Sequence, residues 1–278
     1  ISTRRGPGSR FDHGAPSFTI RDPRFGRVVR AWRDLGIVAR WDAEVVRCTS
    51  DGDVLDTRSL ADDGEFVGVG GMNRIAKHLA EDLELSCGAR VERIVRDEDG
   101  TWSLSVDGRD PSVGWDAVVV TIPTPQADQL LESSAVEAEE ILRLDMQAGP
   151  TSPAWVAMVE LAEPLQRTFG RLEASPEAAE TSPWRSIVDQ GSKPGRHEAP
   201  GTAFVLEASE SWTRRHLEED RDAVAEALRS IFAETIEHAF GESVEISTCA
   251  THRWRYARPA DRGEARSTIS PSESAGDA

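Results

Sequence analysis

Residues 115–125 read WDAVVVTIPTP, and the run from Ala117 to Ile122 constrains the fold more than any other stretch. A continuous apolar run of this length is the signature of a strand covered on both faces. Pro123 and Pro125 would end it, and QADQLLE, which follows, predicts a helix. A doubly covered strand running into a helix belongs to the α/β class. The fold expected is therefore α/β, of mixed α+β character.

The rest of the chain supplies elements for such a fold. Phe25, Val28, Val29, Trp32 and Leu35 recur at near-helical spacing, and Gly36 follows where a helix would be capped, which predicts a helix over 24–35. GIVARWDAEVVRC then alternates toward a strand, and TSDGDVLDTRSLADDGEF reads as a polar, turn-rich connection. VGVGGMNRIAKHLAEDL passes from a glycine-rich turn into a helix with Met72, Ile75, Ala76, Leu79 and Leu83 on its apolar side. ARVERIVRD and TWSLSVD flank EDG as a hairpin. AWVAMVEL and TAFVLEAS are strands, and the segment between them is rich in turn formers. The longest predicted helix carries Val224, Leu228, Ile231, Phe232, Ile236 and Phe240 as one stripe, with acidic residues in its first turn and Gly241 after it. A last strand, VEISTCATHRWRYA, precedes a tail of low hydrophobicity, which predicts disorder over 257–278.

Composition excludes several classes. The 278 residues suffice for one large or two smaller domains, and no stretch approaches the apolar length of a membrane span. A formal net charge of -17, with no basic stripe to offset it, argues against nucleic acid as a partner. Cys48, Cys87 and Cys249 are odd in number and lack CxxC spacing, so they read as reduced core thiols of a cytoplasmic protein. None of the six His shows HxxxH or HExxH spacing, which removes zinc, and there is no GxSxG nucleophile elbow.

What remains points to a site that binds rather than attacks. GVGGMNR at 68–74 lacks both GxGxxG and Walker spacing, so its glycines serve a tight turn or a close backbone approach. His13 stands apart from the other His because it lies in FDHGA beside glycine. Some of the eight Trp could wall a pocket for a flat ring, although core packing is their ordinary use. SKPGR at 192–196 carries two cations, either in a solvated turn or in a substrate-facing loop.

Taken in order, STRRGPGSRFDHGAPSFTIRDPRF, VGVGGMNRIAKHLA, ARVERI, WDAVVVTIPTPQADQLL, SKPGR and HRWRYA resemble the renalase-type branch of the FAD-dependent amine oxidase superfamily. The resemblance runs from residue 2 to about residue 260. It implies an incomplete FAD-binding Rossmann-like domain over 1–20 and 66–135, interleaved with a mixed-sheet substrate domain over 21–65 and 136–256. Chains of this kind carry a GxGxxG βαβ unit ahead of the STRR segment and a flavin contact near the end. The sequence begins ISTRR, without Met, and the resemblance gives way at its end to STISPSESAGDA, so both elements are expected to be missing here, with weak or no FAD binding by this exact chain.

Carried over position by position, the resemblance assigns Arg4 and Arg5 to the pyrophosphate or flavin edge and His13, Gly14 and Ala15 to a loop under the isoalloxazine ring. It assigns Val91 to an adenine-facing backbone. Gly70, Gly71, Met72 and Asn73 fall near the boundary of flavin and substrate, with Trp155, Lys193 and Arg196 on the substrate side. The implied cofactor is FAD. The implied reaction is hydride transfer from a dihydronicotinamide isomer of NAD(P)H to the flavin, with O2 reoxidation to hydrogen peroxide and no catalytic metal. A cationic loop would suit the phosphates of such a donor. An amine donor is the alternative within the superfamily, and a cofactor-free fragment or binding module is the alternative outside it. No residue is assigned as catalytic, and the oligomeric state is left open.

Overall fold

A computed structural model of the chain describes residues 1–134 and 151–259. In chain order its first elements are β1 (Thr3–Arg5), β2 (Arg10–Asp12), α1 (Pro23–Asp34), β3 (Val38–Arg40), β4 (Glu44–Cys48), β5 (Val54–Ser59), α2 (Leu60–Asp63), β6 (Phe66–Gly68) and α3 (Asn73–Leu79). Then come β7 (Val91–Arg96), β8 (Trp102–Val106), β9 (Ser112–Trp115) and α4 (Thr124–Ser134). The last are β10 (Thr151–Leu161), β11 (Arg171–Ala174), β12 (Trp184–Asp189), β13 (Ala203–Ala208), α5 (Glu210–Arg215), α6 (Arg221–Phe240) and β14 (Ile246–Pro259). The described residues form two compact units, residues 1–83 with 152–257, and residues 84–134 with 151 and 258–259. Residues 1–20 and 66–83 thus share a unit with residues 21–65.

The first unit is built on a seven-stranded mixed sheet in the order β14-β10-β13-β12-β11-β4-β5. The pair β11 and β4 is parallel, whereas β10/β13, β13/β12, β12/β11 and β4/β5 are antiparallel. Side chains alternate across a strand, and here both faces are covered. Trp155, Ala157, Val159, Ile187, Phe204 and Leu206 point to one face, where they pack with Val224, Leu228, Phe232 and Ile236 of α6. On the other face Val156, Met158, Ala203 and Val205 pack with Phe11 of β2, while Val45 and Val188 pack with Val29 and Trp32 of α1. The α6 stripe is the one expected, with Asp220 accepting from the Asp222 amide at its start and Gly241 in the left-handed region at its end.

Helix α1 also forms as expected: Pro23 occupies its first turn and Asp22 accepts from the Arg24 amide at 2.7 Å. Its outer side departs from the reading of charge. Arg21, Arg24, Arg27, Arg30 and Arg33 recur every third residue and all are exposed, a local basic stripe that the total of -17 conceals.

Other departures have simple physical causes. GIVARWDAEVVRC is two strands rather than one, because Trp41 turns inward between them and becomes fully buried. The polar connection after it contains β5 and α2, and the turn-rich segment before TAFVLEAS contains β12, an inner strand. Helix α3 stops at Leu79, so Met72 and Ile75 are buried while Leu79 and Leu83 are exposed. Cys48 is buried, but Cys87 lies on the surface, so not all three thiols belong to a core. Strand β14 continues through Pro259, so Ala257 and its next two residues are strand, and the rest of the expected tail, 260–278, lies outside the described residues.

In the second unit, β7 and β8 form the predicted antiparallel hairpin, with Gly100 at φ 86° in its turn, and β9 adds a third strand. Ser134 of α4 donates to the Leu130 carbonyl and accepts from the Ile94 amide at 2.8 Å, tying α4 to β7. The doubly covered strand expected at Ala117–Ile122 does not form. Val119 is 84% exposed, and the segment pairs with no strand among the described residues. Apolar β-branched residues favour a strand only when a ladder and two covering layers are supplied.

Candidate functional site

Three segments distant in sequence converge in the first unit: the β1–β2 hairpin with the residues just after it, the glycine turn at 68–73, and the loop at 190–198. The hairpin pairs Thr3 with Asp12 and Arg4 with Phe11. Phe11 anchors it on the sheet, and Asp12 is buried beside it. The glycine turn needs its glycines for space: a Cβ on Gly68 would stand 2.4 Å from the Gly71 carbonyl oxygen. Gly70 and Gly71 have φ of 74° and 152°, which side chains rarely adopt. Gly70 N donates to the Pro194 carbonyl at 3.0 Å, bringing in the third segment, and Gly195 has no room for a Cβ against Val69 and the Gly70 nitrogen.

Asp12 is the meeting point. Its Oδ1 accepts from Thr3 Oγ1 at 2.6 Å and from the Met72 amide at 3.0 Å. Its Oδ2 accepts from Lys193 Nζ at 3.0 Å and from Arg196 Nη2. Burial alone would push the carboxyl up, but Lys193, Arg196 and the bonds from Thr3 and Met72 outweigh it and hold Asp12 below its ordinary value. Lys193 is fully enclosed, also donates to the Pro16 carbonyl at 2.9 Å, and lies 5.4 Å from the centre of the Trp41 ring. Burial pushes its ammonium down to about 8, with Asp12 opposing that shift. SKPGR is accordingly neither a solvated turn nor a source of free charge: its Lys and Arg face inward onto a carboxylate.

A second group adjoins the hairpin. The His13 ring stacks on Trp254 at 5.5 Å and meets His252 edge-on at 5.1 Å, and His252 meets Trp254 at 4.4 Å. Trp254 Nε1 donates to the His13 carbonyl at 2.8 Å, fixing the backbone that leads to Gly14 and Ala15. Burial holds both imidazoles below their ordinary pKa, and Arg4 adds to this, so both are neutral at pH 7. Arg4 and Arg5 are exposed and have no ion pair among the described residues.

The structure therefore gathers Arg4, His13, Gly14, Gly71, Met72, Asn73, Lys193 and Arg196 around Asp12 and its neighbours. Two assigned residues lie elsewhere. Trp155 faces α6, donates from Nε1 to the His216 carbonyl at 3.0 Å, and serves as core packing. Val91 sits half-buried on β7 in the second unit. Sequence reading missed Asp12, Trp41, Gln190 and His252. Asp12 had one available signal: two cations in a loop that folds inward require a buried counter-charge.

Asp189, at the end of β12, organises the 190–201 loop by accepting from the Gly191 amide at 2.9 Å and the Gly201 amide at 2.8 Å. Burial pushes its carboxyl up to about 6, against those hydrogen bonds. A folded-state pKa above the unfolded one means that folding takes up a proton between pH 4 and 6, so this group favours the fold at acid pH and opposes it above pH 6. Wild type should therefore gain on the order of 2–3 kcal/mol relative to Asp189→Asn as pH falls from 7 to 4. Parallel denaturant melts of both proteins across that range check this, and a constant difference between them would refute it.

A family model described as flavin containing amine oxidoreductase matches residues 12–264. Solved structures show the same fold at low identity. A protein from Exiguobacterium sp. 255-15 named as a protoporphyrinogen oxidase aligns at TM-score 0.51 and 20% identity over 72% of this chain and 42% of its own. A CLA-producing fatty acid isomerase from P. acnes aligns at 0.58 and 12%, over 92% and 77%. A reduced UDP-galactopyranose mutase aligns at 0.50 and 15%, over 70% and 41%. The chain thus spans about two-fifths of the length of the first and third. No described helix is long and apolar enough to cross a membrane, and no group of His, Cys, Asp or Glu among the described residues could hold a metal.

Proposed function

This chain belongs to the flavin containing amine oxidoreductase family, and from that premise we propose that it works as an FAD-dependent oxidoreductase of the renalase type. The observation that carries the cofactor assignment is Arg4, exposed and without an ion pair among the described residues, close to the His13 and His252 imidazoles, which cluster with the Trp254 ring. FAD presents an anionic pyrophosphate and a flat ring, and these residues offer the complementary charge and the apolar, aromatic lining. Gly14 lies against the start of the hairpin, where a Cβ would stand 3.2 Å from the Ser2 amide nitrogen. The residues present fit the flavin end of FAD. We assign the FAD-binding part to 1–20 and 66–135 and the substrate part to 21–65 and 136–256, with Val91 toward the adenine.

When bound, FAD would supply the two-electron redox chemistry, with the hydride coming from the donor and O2 as the final acceptor to give hydrogen peroxide. The protein's own part is to bind and orient. Arg4 and Arg5 hold negative charge, His13 and His252 line the ring without adding positive charge, and the Trp254 indole fixes the His13 backbone. Lys193 and Arg196 act on the donor side through loop placement, because their charges are already engaged by Asp12. The donor proposed is a dihydronicotinamide isomer of NAD(P)H in a cytoplasmic setting. The family's description favours a second donor class, amines.

Anaerobic mixing of the flavin-loaded protein with dihydronicotinamide isomers is expected to bleach the flavin absorbance within one turnover, and readmitted O2 should restore it. Bleaching by amines alone would move the assignment to amine oxidation. No bleaching by dihydronicotinamides would defeat the renalase reading, and no bleaching by either class would defeat the oxidoreductase reading.

A further inference from the structure

We propose that Asp12 is the positioning residue of this site: one buried carboxylate sets the mutual geometry of the hairpin, the glycine turn and the 192–196 loop. The inference rests on the flavin-binding reading above for its functional consequence, although not for its geometry.

An ionised carboxylate offers about four acceptor positions. In Asp12 they are taken by Thr3, Met72, Lys193 and Arg196, which belong to three separate segments of the chain. A carboxylate saturated in this way has no lone pair left for a substrate proton, which separates Asp12 from a general base. The ring of contacts closes around it. Its own amide donates to Gln190 Oε1 at 2.9 Å, Arg196 Nη1 donates to the Arg10 carbonyl at 3.0 Å, and Arg10 Nη1 reaches the Gly70 carbonyl at 3.4 Å. Every segment named is therefore held to at least one other through residues 10–12.

Stability alone is a poor reason for such a cluster. Apolar side chains of similar volume commonly serve a buried site as well as an ion pair does, because desolvation offsets the Coulombic gain. Directionality is what apolar packing lacks. Four hydrogen bonds accepted by one carboxylate fix the angles at which the Met72 amide, the Thr3 hydroxyl and the Lys193 and Arg196 side chains approach, and His13 follows Asp12 directly in the chain. Displacing the carboxylate would free the turn at 70–73 and the His13 backbone together.

The test compares wild type with Asp12→Asn, which keeps shape and removes charge, at a temperature where circular dichroism shows both folded. Amide hydrogen exchange at Met72 and Asn73 should accelerate tenfold or more in the variant, while amides of α6 keep their rates. FAD affinity, read by quenching of flavin fluorescence, should fall tenfold or more. A folded Asp12→Asn protein with unchanged exchange at Met72 overturns the proposal, since a merely structural contribution would lower the melting temperature without moving either readout below it. If wild type itself binds too little FAD to measure, the exchange arm alone decides the role of Asp12. Should Asp12→Asn not fold, Lys193→Met leaves Arg196 to pair with Asp12 and is expected to give smaller changes, about threefold, at the same amides. No change there overturns the proposal equally.

Discussion

Replacing Asp12 with alanine is expected to lower the stability of the unit that contains it by about 3–5 kcal/mol, the range seen when one partner of a buried pair is removed. Lys193 and Arg196 would be left inside the protein, almost wholly enclosed and without the carboxylate that both of them contact. Arg196 already has a buried Nε without a hydrogen-bond partner, so the network holds no spare acceptor to take over. The damage comes from the stranded cations rather than from the lost bonds. Accordingly, changing Asp12→Leu, Lys193→Met and Arg196→Met together should return much of the stability lost by Asp12→Ala, while leaving the glycine turn unanchored. Urea melts of wild type and the two variants measure these stabilities. A triple variant no more stable than Asp12→Ala would show that the stranded charge is not the main cost.

Phe232→Ala should cost a similar amount, about 3–5 kcal/mol, for an unrelated reason. Phe232 is completely buried in α6, with its ring 5.3 Å from that of Phe204 at the centre of the sheet. Close packing around it allows little collapse, so the deleted ring leaves a cavity in addition to the lost transfer energy. The neighbouring Ile231 packs only partly buried against the same core and should be more tolerant, with Ile231→Val near 1 kcal/mol or below. Comparable losses at 231 and 232 would mean that α6 does not seat on the sheet as described.

Comparing sequence with structure element by element separates two kinds of information. Helices α1 and α6 were legible because period, caps and terminal glycines all agree locally, as were the β7–β8 hairpin through its EDG turn and the strands β10 and β13 through their composition. The Ala117–Ile122 run was misread because its composition is that of a doubly covered strand, while the neighbours that would cover it are not among the described strands. The stripe of arginines on α1 was missed because net charge is a sum and a stripe is a pattern. Strand β12 was hidden by the turn formers on either side of it.

The sequence by itself determined the α/β class, the helix that covers one face of the sheet, and the residues whose order resembles a flavoenzyme family, since each of these depends on near neighbours in the chain. Only the tertiary structure decided that Trp155 faces α6 and that Lys193 and Arg196 turn inward. It alone brought Met72 and Lys193, which lie 60 and 181 positions from Asp12 along the chain, to the Asp12 carboxylate. The reason is physical: a buried charge selects its partners by proximity and desolvation in the folded state, and neither quantity exists until segments remote in sequence have packed together.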